Sequence, residues 1–365
     1  MDARRLAAAD PAFDCHAPAN CSGLLPTLLV IGSRKSGTTA LSNLLREHTH
    51  VVMPHCHGHQ LRGMCVWDKE VRYFSRGARA SICWYRSLYP CPMAATADAV
   101  EVQPMAFDGS PDYLVMPDAK VAAMGVQLGA RARLIALLRN PTDRFYSAYN
   151  MGMNERIRQQ GQKHQLAYAN FAAELDRMIA CAPECREFPS VVSMFFDYGL
   201  YARHITKYWR HFGRDRLLIE RSEDFYANPW ASARRIVEFA GLSMAEAHVA
   251  AMRRSAQEGL SDRARNVGGL WGGAAYQRKL RAAERRKLGA YFAPHNHELY
   301  ALIGRDLGWE RDNEAAIARD DQAPAAVVEQ PTQINAPGAT TADATDGGAP
   351  ASRETLPLRP ELRRA

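Results

Sequence analysis

Few folds accommodate the opening of the globular part of this chain. Leu25-Pro-Thr-Leu-Leu-Val-Ile-Gly32 is apolar almost throughout and ends in glycine. Ser33-Arg34-Lys35-Ser36-Gly37 follows at once. A short continuous apolar run is how a strand covered on both faces reads. Residues 38–48, TTALSNLLREH, then space Leu41, Leu44 and Leu45 on one helical face behind an opening Thr. Strand, glycine-containing loop and helix in that order turn backbone N–H groups and a helix N-terminus towards one point, an arrangement that suits an anion.

Two further segments repeat the strand signal. Leu134-Ile-Ala-Leu-Leu138 is closed by Arg139-Asn140-Pro141 and precedes a helical pattern over about 142–157; Leu217-Leu-Ile219 is the third. Helical spacing also fills about 164–181, 200–212, 229–240, 276–292 and 295–305. Strands alternating with helices predict a three-layer α/β fold, a parallel sheet with helices on both faces. Residues 1–24 read as an irregular leader and 25–311 as the folded unit. The remainder, 312–365, is rich in Ala, Pro, Thr, Gly and Asp and almost free of aromatics. It buries too little apolar surface to offset its ordering entropy, which predicts a disordered tail.

Charge narrows the ligand. Lys and Arg number 46 against 39 Asp and Glu, a formal +7, and from Asp312 onward nine acids face five bases. The part before that carries about +11, which suits an anionic partner without separating nucleic acid, nucleotide or acidic glycan. The loop separates one class. A nucleotide triphosphatase uses GxxxxGK[ST] and Mg²⁺, whereas in Gly32-Ser-Arg-Lys35-Ser36-Gly37-Thr38-Thr39 the Lys precedes the Gly. The second strand ends in Arg139 instead of a Mg²⁺-binding Asp. Anion binding by Lys, hydroxyls and backbone without metal is therefore expected, and phosphoryl transfer from ATP is disfavoured. Arg139 and, eight residues later, Ser147 form a second candidate cradle. Two cradles at the carboxyl ends of parallel strands suit a nucleotide phosphorylated at both ends, provided Lys35 and Arg139 lie close enough to share it.

With both motifs in hand the chain resembles a known family. LLVIGSRKSGTTAL is similar to the 5′-phosphosulfate loop of the sulfotransferases, and LIALLRNPTDRFYSAYN to their 3′-phosphate motif. The similarity is to the Golgi carbohydrate enzymes of the heparan N-/3-O- and chondroitin 4-sulfate 6-O type. It continues in order through KEVRYFS (69–75), ICWYRSLYP (82–90), DGSPDYL (108–114), YGLYARHITKYW (198–209), RNVGG (265–269) and YFAPHNHELYALIGRDLGW (291–309).

The resemblance implies 3′-phosphoadenosine 5′-phosphosulfate as donor, a sugar hydroxyl as acceptor with an amine left open, no metal and no nucleic-acid partner. Other acceptors on the same fold (a small alcohol, steroid or tyrosine) and a non-catalytic nucleotide- or glycan-binding protein are the competing readings. Lys35 matches the family's loop lysine, which bridges 5′-phosphate and sulfate. Arg34, Ser36, Gly37, Thr38 and Thr39 would add loop contacts, Arg139 and Ser147 would take the 3′-phosphate, and Arg265, Asn266 and Gly268 fall where a late loop closes over the nucleotide. Glu70 matches the catalytic base, its pKa expected to be raised by Tyr73, Phe74 and Trp84. The family usually has His two residues on, where this chain has Arg72, which would instead lower that pKa or grip an anionic acceptor. Asp112 and Tyr113 are candidate acceptor contacts.

Three features bear on compartment. Eight cysteines, several close in sequence (Cys15/Cys21, Cys83/Cys91, Cys181/Cys185), fit disulfides in an oxidising lumen, with connectivity open. Asn20-Cys21-Ser22 is a glycosylation sequon. The family suggests the Golgi lumen, yet neither an apolar signal core nor a stretch of about 18 apolar residues is present, which leaves the cytoplasm as the alternative. His55-Cys56-His57-Gly-His59 is too crowded for a metal site and reads as an insertion.

Overall fold

A computed structural model of the chain describes residues 23–56, 64, 68–76, 80–90, 104–160, 171–184, 186, 190–258 and 280–322. Its elements are β1 (Leu28–Gly32), α1 (Thr38–Arg46), β2 (Val51–Val52), α2 (Tyr73–Arg76), α3 (Ile82–Ser87), β3 (Met105–Asp108), α4 (Asp118–Leu128), β4 (Arg133–Leu138), α5 (Pro141–Gln160), α6 (Phe171–Cys181), α7 (Ser190–Asp197), α8 (Tyr201–Phe212), β5 (Leu217–Arg221), α9 (Ser222–Ala227), α10 (Pro229–Ala240), α11 (Glu246–Gln257), α12 (Ala282–Ile303) and α13 (Trp309–Asp321). The strands form one parallel sheet in the order β2-β3-β1-β4-β5. β1 lies at the switch point, where the chain leaves first for one side of the sheet and later for the other; such crevices at the carboxyl ends of strands are where ligands bind in open α/β sheets.

Alternation along each strand divides the core into two layers. Leu29, Ile31, Leu134, Ala136 and Leu138 pack on Val121 and Met124 of α4, on Tyr201, Ile205 and Tyr208 of α8, and on Leu299 of α12. Leu28, Val30, Phe107, Ile135 and Leu137 face the other way, onto Leu41, Leu44 and Leu45 of α1 and Ile236 and Val237 of α10. The four apolar residues of β1 are fully buried, each contributing roughly 1.5–3 kcal/mol of burial free energy. The three-layer parallel α/β architecture is thus the observed one.

The differences from the sequence reading are local. β2 and β3, of two and four residues, carry too little pattern to stand out. Within the patterns over 276–292 and 295–305, residues Ala282–Ile303 form one helix, α12, which runs through Pro294 because Phe292, Asn296 and Leu299 continue one buried face across it. The boundary drawn at 312 falls inside α13, whose Trp309 and Asn313 are buried; the compact unit extends through Gln322. The rest of the tail and residues 1–22 lie outside the described residues.

Candidate active site

The loop after β1 is held by its carbonyls. Ser33 N donates to Leu137 O at 2.8 Å and Ser36 N to Ser33 O at 3.2 Å. Ser222 Oγ donates to Ser36 O at 2.7 Å and Arg139 Nη1 to Lys35 O at 3.0 Å. Lys35 sits at φ 71 and Gly37 at φ 93. A Cβ on Gly32 would stand 2.6 Å from Leu114 Cβ, a backbone-anchored atom; one on Gly37 would displace the Tyr226 hydroxyl, 2.5 Å away, and would also sit on a left-handed backbone that favours glycine. Gly37 provides no capping side chain for α1, whose first-turn amides have no partners of their own within the helix. Thr38 is buried and Thr39 half-buried in that turn.

Two groups here lack a mate. The buried Ser36 hydroxyl has no hydrogen-bond partner. The Lys35 ammonium touches only Met151 Sδ, at 3.5 Å, with no carboxylate in ion-pair range among the described residues. Burial, and then the charges of Arg139, Arg34 and Arg144, pull its pKa down to about 8.

Arg139 ends β4, and its neighbour Asn140 is fixed from several directions. Asn140 N donates to Glu223 Oε1 at 2.8 Å, while Asn140 Nδ2 donates to Trp309 O at 3.2 Å and Asn313 Oδ1 at 3.1 Å. Asn140 Oδ1 in turn caps α5 through Thr142 N. Tyr201 OH donates to Arg139 O at 2.8 Å. Ser147 is buried two turns into α5. The Arg139–Lys35 hydrogen bond brings the two sequence-predicted cradles, 104 residues apart, into direct contact.

Beside them lies an ionic chain. Glu70, 7% exposed, takes Lys69 Nζ at 2.5 Å and Arg72 Nη2 at 2.6 Å. Arg72 Nε lies 3.8 Å from Asp112 Oδ2, and Asp112 Oδ1 binds Arg34 Nε at 2.6 Å and accepts from Tyr198 OH at 3.2 Å. The candidate base is thereby tied to the residue beside Lys35.

Three expectations change. Burial raises the Glu70 pKa, but Lys69 and Arg72 outweigh it and leave it below the ordinary value, so the apolar walls do not set its state and Arg72 takes the first of its two expected roles. Tyr113 is fully buried, with its hydroxyl donating to Asp108 at 2.7 Å, and has no surface for an acceptor. Asp112 is an internal bridge between two arginines, 8% exposed. Arg265, Asn266 and Gly268, like His57 and His59, lie outside the described residues.

Sequence reasoning did not single out Asp108, at the end of β3. Its fully buried carboxylate accepts from Ser110 Oγ at 2.5 Å, Tyr85 OH and Tyr113 OH each at 2.7 Å, and Val71 N at 3.3 Å. Ser110 Oγ accepts from Arg72 N at 2.8 Å, and Gly109 N donates to Lys69 O at 2.7 Å. The strand end thus grips the backbone on both sides of Glu70. The Asp that opens the DGSPDYL segment was the available signal; of its four donors, Tyr85 and Val71 come from positions no local pattern links to it. A separate cavity of about 580 Å³, at the amino end of the strands and lined by Leu24, Thr27, Arg86, Arg131 and Arg133, shares no residue with this region. Among the described residues no helix is long and apolar enough to cross a membrane.

Heparan sulfate glucosamine 3-O-sulfotransferase 3B1 of Mus musculus is 25% identical over 295 residues, covering 78% of this chain and 65% of its own. Bifunctional heparan sulfate N-deacetylase/N-sulfotransferase 2 of Bos taurus is 26% identical over 288 residues, 77% of this chain and 30% of its own. This chain therefore spans just under two thirds of the first relative and under a third of the second. In fold it is similar to the crystal structure of a sulfotransferase from Alicyclobacillus acidocaldarius, with TM-score 0.50 and 21% identity over 79% of this chain and 99% of that one. The family model described as the sulfotransferase domain matches residues 25–262, from just before β1 to just past α11, and the chain belongs to that family.

Proposed function

We propose that the protein transfers a sulfuryl group from 3′-phosphoadenosine 5′-phosphosulfate to a carbohydrate hydroxyl by in-line displacement. The observation that carries this reading is the contact between the cradles: a lysine without a carboxylate partner, its carbonyl bonded to the arginine that ends the neighbouring strand. The orphaned Ser36 hydroxyl and the uncapped start of α1 fit a phosphate beside Lys35. The donor, when bound, supplies an activated sulfuryl group on a phosphate leaving group. Lys35 and the amides of Gly37, Thr38 and Thr39 would hold the 5′ end, and Lys35 would balance charge on the leaving oxygen. Arg139 and Ser147 would hold the 3′-phosphate. Glu70 would take the acceptor proton. Since Lys69 and Arg72 stabilise its ionised form, it is always available as a base at neutral pH but a weak one. An acceptor that draws Arg72 onto its own sulfate or carboxylate would strengthen it.

The relatives named above carry heparan sulfate in their names, which supports a glycan acceptor for this chain, and the motif resemblance to Golgi carbohydrate enzymes favours a Golgi lumen. None of the described cysteines, Cys56, Cys83 and Cys181, is a free thiol, which supports disulfides in an oxidising compartment. The test is release of 3′-phosphoadenosine 5′-phosphate from donor in the presence of a panel of defined glycans, with chelator added to exclude a Mg²⁺-dependent reaction. Arg139→Ala is expected to weaken donor binding about tenfold or more, and Glu70→Gln to lower kcat roughly a hundredfold or more with donor affinity retained. Donor binding without turnover on any acceptor would favour a non-catalytic binding protein, and unaltered donor affinity in Arg139→Ala would overturn the site.

A further inference from the structure

Among the described residues, Arg144 is a charge that the site above leaves unexplained. It is fully buried in α5, three residues before Ser147 and so on the same helical face. Of its donors, Nη2 meets the Phe195 carbonyl, while Nε and Nη1 have no partner. No carboxylate among the described residues lies in ion-pair range of it. Asp197, a carboxylate whose charge acts on it, is paired instead with Arg203 at 3.1 Å. Tyr201, Tyr198, whose ring lies 5.9 Å away, and the cations Arg139 and Lys35 also act on it. Arginine is almost never fully buried without a counter-ion. One hydrogen bond to a carbonyl does not account for it, because a neutral donor of similar size would serve without the cost of burying a charge.

We propose that Arg144 is a positioning residue for the donor: a built-in countercharge beneath the two cradles, which the nucleotide's phosphates neutralise on binding. This rests on the donor reading given above and adds to it a third cation that no phosphate touches. Being enclosed, Arg144 acts through a low-dielectric interior where solvent and salt screen little. Its charge also helps hold the Lys35 pKa down, so the free site is a cluster of mutually repelling cations that an anion relieves.

The test is titration of 3′-phosphoadenosine 5′-phosphate into the full chain and its Arg144→Met and Arg144→Lys variants at low and high salt. The pH is stepped through the Lys35 titration at about 8, and thermal melts are recorded with and without ligand. Expected for the Met variant are binding weaker by about tenfold or more, a deficit that persists at high salt, and a Lys35 midpoint displaced upward. Its melting temperature without ligand should equal or exceed that of the unaltered chain, with a smaller rise on adding ligand. The Lys variant should keep the midpoint near its original place. A folded Met variant with unchanged affinity and midpoint overturns the proposal while leaving the donor site standing. So does a Met variant that unfolds without ligand, since the guanidinium would then be a structural requirement. Failure of the unaltered chain to bind the nucleotide overturns the donor reading and this proposal together.

Discussion

Removing the Asp108 carboxylate tests how the segment carrying Glu70 is held. Asp108→Ala leaves two tyrosine hydroxyls, one serine hydroxyl and one backbone amide facing a dry gap. Each hydrogen bond to a charged group contributes roughly 1.5–3 kcal/mol, offset by a desolvation penalty of several kcal/mol for the carboxylate. The net loss should be about 3–5 kcal/mol. With a urea slope of about 3 kcal/mol per M the unfolding midpoint falls by roughly 1–2 M. Asp108→Asn should lose less, because one oxygen can still serve Val71 N and Ser110 while the tyrosines turn to accept from the amide; Tyr113→Phe, which removes one of the four bonds, should lose about 1.5–3 kcal/mol. Urea unfolding followed by tryptophan fluorescence gives all three. A midpoint for Asp108→Ala within about 0.3 M of the unaltered chain would refute the reasoning, since it would mean that four buried donors find other partners at no cost. Where the variants stay folded, sulfuryl transfer should fall in the same order, because the backbone beside Glu70 is released.

Gly37→Ala should abolish nucleotide binding and destabilise the fold by about 1–3 kcal/mol, since a methyl there meets both a left-handed backbone and the Tyr226 ring; calorimetric titration and melting check it. His204 is buried against the Asp197 carbonyl at 2.8 Å, and burial drives its pKa down to about 4. His48, bonded to Ser243 O at 2.9 Å, is shifted the same way, by burial first. For both, the unfolded chain binds the proton first, so stability is fully present above the ordinary histidine pKa of about 6.5 and is lost as pH falls, in the case of His204 through about 4. His204→Gln should flatten that acid limb in melts recorded across the range.

What was legible in the chain follows from where its signals are local. β1, β4 and β5 announced themselves as continuous apolar runs because both their faces are covered, and the loop and Arg139 because the chemistry of an anion cradle is written in consecutive residues. β2 has two residues and no period to detect. The helical pattern is interrupted around Pro294, where packing on both sides carries the helix through. α13 was hidden by an Ala- and Asp-rich composition, although Trp309 and Asn313 anchor it from within. In the site, the pairing of Glu70 with Lys69 and Arg72 was readable from adjacency. The Asp112 bridge, the Asp108 clasp and the solitary Arg144 were not, since each depends on partners brought in by the sheet.

The stretch matched by the family ends at 262, yet Asn140, the residue after Arg139, is bolted to Trp309 and Asn313. Trp309 Nε1 also reaches Glu223 Oε2, whose other oxygen accepts from Asn140 N. A version of the protein trimmed to the matched stretch would keep every residue assigned to the phosphosulfate end and still lose the outer wall that aims Arg139. On the donor site proposed above, nucleotide recognition would depend on both ends of the folded chain, and truncations made to simplify it should spare everything through Gln322.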